Sequence, residues 1–170
     1  MNDKDLPDLI TGVLYTKNSY RSVIPAGPTG SLGDQVIAAG TVFRDSACTF
    51  PVGTFDLTAF VTSVDDDLEK RQVLIGLSID RSYVRHSWMK GLRGHSRKGL
   101  SSSAARQKQS TINLAGVATY PINGAILSDP IVLGVDAGTG DFVRTDGEAH
   151  ISYGPSTQTF AYEFHLFNDY

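Results

Sequence analysis

Cysteine occurs once, at Cys48, so the chain can form no internal disulfide and no cysteine-based structural zinc site. No stretch approaches the roughly 20 apolar residues that a membrane helix needs. No Asn-x-Ser/Thr glycan acceptor occurs. The opening residues, Met1 to Asp8, hold three acids and no apolar core, unlike a secretory signal, and a cytoplasmic location is expected. The chemical motifs are equally sparse. Gly27, Gly30 and Gly33 are evenly spaced but lack the Gly-Lys-Ser/Thr of a phosphate loop, so a surface loop is the simpler reading. Gly138-Thr-Gly140 would need a third glycine at 143 to resemble a dinucleotide loop, and that residue is Val143. No Gly-x-Ser-x-Gly elbow occurs, Cys48 has no local histidine partner, and the histidines follow no metal-ligand spacing. Hydrolase chemistry is disfavoured, and neither metal nor cofactor is expected.

Glycine and short apolar runs are abundant. Seventeen glycines and seven prolines punctuate a chain of 170 residues that is 41% hydrophobic, which favours one all-β domain with many turns. Residues 1–9 form a polar lead. Strands are expected at Ile10–Thr16, continuing at Tyr20–Ile24, then between Asp34 and Asp45, at Thr54–Val64, Gln72–Asp80, Thr111–Tyr120, Ile131–Asp136 and Phe160–Phe167, and Asp141–Tyr153 is strand-like. In the third, Phe55, Leu57, Ala59 and Val61 alternate with Asp56, Thr58, Phe60 and Thr62, the period of a strand buried on one face. Asp65 to Arg71 reads as a charged, solvated hairpin tip. Strands joined by tight loops pair antiparallel, because parallel pairs need long crossovers. Gly40 is expected at a bend, and Gly147 at a bulge or close backbone contact.

Net charge is −3, too small for a global pull toward nucleic acid or membrane. The charge is nevertheless segregated: six Lys/Arg lie between His86 and Gln109, with no acid after Arg81 in that segment. Residues 82–109 read as a mobile basic insertion, as a lid bringing Trp88 to a cavity mouth, or as an anchor for an anionic partner. Only Tyr83 and Trp88 offer stacking surfaces nearby, which argues against nucleic acid.

Five pieces occur in a familiar order: Gly33-Asp34, Val52-Gly-Thr54, Asp136-Ala-Gly-Thr-Gly-Asp-Phe142, Gly147-Glu-Ala149 and Phe160-x-Tyr-x-Phe-x-Leu166. In this the chain resembles the allene oxide cyclase and dirigent proteins, over Gly33 to Leu166 but without a counterpart for residues 81–109. The resemblance implies an all-β fold, an eight-stranded antiparallel β-barrel with a largely apolar central cavity, in a homodimer or homotrimer. Relatives on this fold include cyclases that fold polyketide intermediates by cycloaddition. Two departures weigh on function. Allene oxide cyclases carry an acid in the first strand, and Ile10 to Lys17 has none; plant dirigent proteins are commonly secreted.

An eight-stranded barrel leaves room for side chains or one small ligand. Holding the reacting ends of a hydrophobic polyketide- or polyene-derived intermediate together lowers a cyclisation barrier without acid or base. One or two hydrogen-bond donors that polarise a carbonyl would complete a cofactor-independent cyclase or isomerase. Tyr15, Tyr83, Trp88 and Tyr120 are the candidate catalytic residues, since each combines apolar bulk with a polar tip. Phe60, Arg144 and Glu148 are the candidate substrate-binding residues. Core packing is the competing reading for each aromatic, and a surface ion pair for Arg144 and Glu148. Tyr162 and Phe164 fall at family positions and read as structural residues of the closing strand. The expected partner is a hydrophobic small molecule, with neither nucleic acid nor membrane. The alternative is a non-catalytic dirigent-like or lipophile-binding barrel.

Overall fold

The computed structural model describes residues 8–27, 32–65, 67–88, 108–121, 130–155 and 157–168. Eight antiparallel strands close into one barrel in chain order. They are β1 Asp8–Ile24, β2 Gln35–Phe43, β3 Pro51–Asp65, β4 Leu68–Asp80, β5 Gln109–Pro121, β6 Ile131–Gly138, β7 Thr145–Gly154 and β8 Thr159–Asn168. The expected all-β barrel is present. Most of the basic insertion, and residues 1–7 of the polar lead, lie outside the described residues.

β1 closes the barrel by serving two neighbours. Its first half pairs with β8, from Asp8↔Asn168 to Thr16↔Phe160, and its second half with β2, from Tyr15↔Phe43 to Ile24↔Gln35. A bulge between Asn18 and Tyr20 inserts one residue there and reverses which face later side chains take. Ile10, Leu14 and Thr16 point inward before it; after it Arg21 pairs with the buried, inward Ala38.

The inner face carries one continuous apolar cluster. Phe55 and Ala59 of β3, Val73, Ile75, Leu77 and Ile79 of β4, Ile112 and Leu114 of β5, and Tyr162, Phe164 and Leu166 of β8 contribute, all at alternate positions. Two glycines are required by close approach. A Cβ at Gly40 would overlap the Lys17 carbonyl across the bulge. Gly147 has φ 134°, and a Cβ there would overlap the His165 carbonyl, which is the close backbone contact expected from sequence. Gly147→Ala should therefore destabilise the barrel by more than about 1 kcal/mol, read as a lowered urea midpoint. An unchanged midpoint would show that the strands can part at no cost.

Because all neighbours are antiparallel, the barrel has two distinct ends. One gathers the ends of β2, β4, β6 and β8 with the starts of β1, β3, β5 and β7; the other gathers the opposite termini. At the first end the chain leaves β4 through a helical turn, Arg81–Tyr83, and a π-turn, Val84–Trp88.

Candidate functional site

That first end is plugged. The Trp88 ring sits 5.6 Å from Phe142 and 5.1 Å from Phe164, centroid to centroid. Gly12 forms its socket, since a Cβ there would come within 2.5 Å of the indole. Phe142 arrives on a 3-10 turn, Gly140–Phe142, which is the glycine motif of the sequence. Gly140 takes φ 66° there, the left-handed conformation that glycine permits.

Asp141 ties this turn to the barrel. Its carboxylate accepts hydrogen bonds from Arg81 Nε at 2.8 Å, Arg85 Nε at 3.2 Å and Ser110 Oγ at 3.1 Å. Its backbone N–H donates to Ser110 Oγ at 3.0 Å. Burial alone would push this carboxyl up, but the bonds and charges of Arg81 and Arg85 outweigh it and hold the group below the usual carboxylate range.

Among the described residues the other end is open and leads into a chamber of about 520 Å³. Val36, Ala38, Phe55, Ile75, Leu133 and Ile151 form its apolar walls; Tyr120, Arg71, Arg21, Asn18 and Gln158, near the strand ends of this rim, stand around the mouth. Arg71 and Tyr120 meet because of register. Glu69 lies opposite Tyr120 and Arg71 opposite Ala118, so Arg71 reaches Tyr120 on the diagonal, its guanidinium 4.6 Å from the ring centroid. Arg71 Nη2 also pairs with the Glu69 carboxylate, which is almost wholly buried. Arg71 Nε is buried with no hydrogen-bond partner among the described residues.

Two phenols share this wall. Burial raises the Tyr120 phenol, Arg71 opposes and Glu69 adds, leaving it above its ordinary value. Tyr162 is pushed up to about 12 by burial, with Thr16 favouring its phenolate and Tyr120 opposing it. Both are therefore neutral donors at physiological pH.

The seven sequence candidates separate. Tyr120 alone among them lines the chamber. Trp88 and Tyr83 belong to the plugged end, so the lid bringing Trp88 to the mouth is corrected: the indole seals the opposite end. Tyr15 lies between the inward Leu14 and Thr16 and so faces outward. Phe60 is likewise on the outer face, 38% exposed. Arg144 is an exposed turn residue with φ 61°. Glu148 is exposed and pairs with His150 Nε2 at 2.7 Å, the surface pair that was its plainer reading. The charged tip is corrected too. β4 already begins at Leu68, which carries Glu69 and Arg71 onto the inner face. Arg71 and Arg21 are chamber residues with no site role expected from the sequence, and Tyr162, expected as a structural residue of the closing strand, lines the chamber as well. Extending the alternation Val73, Ile75, Leu77, Ile79 two steps back would have found Arg71 and Glu69.

Fold and site together define, among the described residues, a β-barrel closed at one end, with an apolar chamber of small-molecule size open at the other. No protein-family model and no curated protein sequence matches the chain. Solved structures do share the barrel. Pyocyanin demethylase is 18% identical over 92% of this chain and 98% of its own, with a TM-score of 0.64. A pterocarpan synthase dirigent protein is 14% identical over 96% and 97%, at 0.59. The Diels-Alderase AbmU from Streptomyces koyangensis is 14% identical over 98% and 71%, at 0.57. At such identities the likeness establishes a common fold, one used by both dirigent and Diels-Alderase barrels.

Proposed function

We propose that the protein is a cofactor-independent cyclase or isomerase that shapes a hydrophobic, polyketide- or polyene-derived intermediate in its chamber. The observation that carries this reading is the one-ended apolar chamber with neutral phenol donors set in its wall. An intramolecular ring closure conserves atoms and needs no co-reactant. A chamber that holds a flexible chain folded removes much of the entropic barrier. Tyr120, braced by Arg71, is placed to donate a hydrogen bond to a substrate carbonyl and draw electron density from the reacting bonds. The fold likeness to a Diels-Alderase is consistent with such chemistry.

The test uses a linear substrate carrying a conjugated diene and an enone, with ring closure followed by loss of diene absorbance. Tyr120→Phe should lower kcat on the order of a hundredfold while binding stays within about twofold. Equal turnover by the two proteins would remove Tyr120 from the chemistry. A second reading rests on the lining itself: among its described residues the chamber carries no carboxylate or histidine. This also suits a dirigent-like or lipophile-binding barrel that guides a ligand without transforming it. Saturable binding with no acceleration over buffer would favour that alternative.

A further inference from the structure

We propose that the chamber's natural ligand is an amphipathic anion, an apolar body with one acidic oxyanion group held at the mouth by Arg21 and Arg71. This rests on the chamber being the ligand site and adds the chemical class of what enters it.

Both guanidiniums are brought to the mouth by specific features of the strands. The β1 bulge reverses facing, so Arg21, opposite the inward Ala38, lines the chamber while its side chain stays exposed to solvent at the rim. Arg71 is held inside by its place in the β4 alternation and by stacking on Tyr120. Its side chain is only 21% exposed. Glu69 engages Nη2 and leaves the buried Nε–H without an acceptor among the described residues. An unsatisfied buried donor is destabilising, and an oxyanion that reaches it as the side chain adjusts would supply the missing acceptor. Arginine presents several donors in a planar fork suited to such oxygens.

The charge balance points the same way. The whole chain carries net −3, yet the described lining of the chamber contains Arg21, Arg71 and Lys17 and no acid. Asn18 and Gln158 add neutral polar groups at the same rim. Glu69 offsets one of these three charges and leaves the described lining net positive. The walls beneath are apolar, so one molecule can satisfy both regions only if its charge sits at one end.

The probes are dodecanoate and dodecanol, which share a chain and differ in the head group. Each displaces an apolar fluorophore from the protein below its micelle concentration, at a pH where the acid is ionised. Dodecanoate should bind about tenfold more tightly than dodecanol. Arg21→Gln should cut that preference severalfold. Glu69→Gln with Arg71→Gln, paired so that no carboxylate is left buried alone, should cut it further. Dodecanol affinity should hold in both variants and so report an intact chamber. Equal affinities in the wild type would overturn the anion site while leaving the chamber as ligand site. Displacement by neither would overturn both. A preference surviving when all three substitutions are combined would place the oxyanion away from these arginines and overturn the assignment.

Discussion

Asp141→Ala is expected to destabilise the barrel by about 3–5 kcal/mol, the range for removing one partner of a buried ion pair. Arg81 would remain in the core without its carboxylate, and the Ser110 hydroxyl and the 3-10 turn would lose their shared anchor. With the turn goes Phe142, one wall of the Trp88 plug. Chemical denaturation checks this, and a midpoint close to wild type would show that the plug holds by apolar packing alone. Replacing both charges with apolar residues, Arg81→Met with Asp141→Leu, should recover much of the loss. Acid should act at the same place. The carboxyl is held below its usual value in the folded state, so its contribution is complete above the unfolded pKa of about 3.9 and is lost as pH falls through the lower folded value. Stability of the wild type should therefore drop more steeply than that of Asp141→Asn in that acid window.

Ala38→Trp is expected to abolish ligand uptake, lowering affinity on the order of a hundredfold or more. Ala38 is buried on the inner face of β2 and lines the chamber, so an indole there would occupy the space of the ligand. The cost in stability should stay within about 1–3 kcal/mol, because the added ring enters a space that is already present. Intact folding with lost uptake distinguishes a filled chamber from a damaged barrel.

The antiparallel strands were legible in the sequence because inner residues alternate and turns are marked by glycine, proline and charge, whereas their closure into an eight-stranded barrel was implied by the family resemblance. Gly147 was legible from the pattern too, since a glycine inside a strand pattern signals close backbone approach. The plug was not. Phe142 and Trp88 are far apart in the chain and meet only because β4 and β6 end at the same rim. Nothing local to Trp88 shows which end of a barrel it will close. The mouth was misread for a different reason. Charge in a short run is ordinarily solvated, and Glu69 and Arg71 were assigned to a hairpin tip on that ground. Two strands of unusual reach, β3 at 15 residues and β4 at 13, carry the hairpin beyond them and leave the pair facing the lumen. Arg21 was hidden by the bulge, which shifts the period of β1 by one residue and leaves no clear mark in the pattern. Tyr15 and Phe60 show the converse error: each is aromatic and well placed along its strand, but on the outward phase of the alternation.

The central claim is that the open-ended chamber is the ligand site, and a fluorescence titration tests it most directly. An apolar amine such as 1-aminoanthracene brightens on leaving water, and is added to the wild type and to Ala38→Trp under identical conditions. The account predicts a saturable rise with one probe per chain in the wild type and almost none in the folded variant. An equal rise in both proteins would place the probe on the outer surface and contradict the chamber as the ligand site.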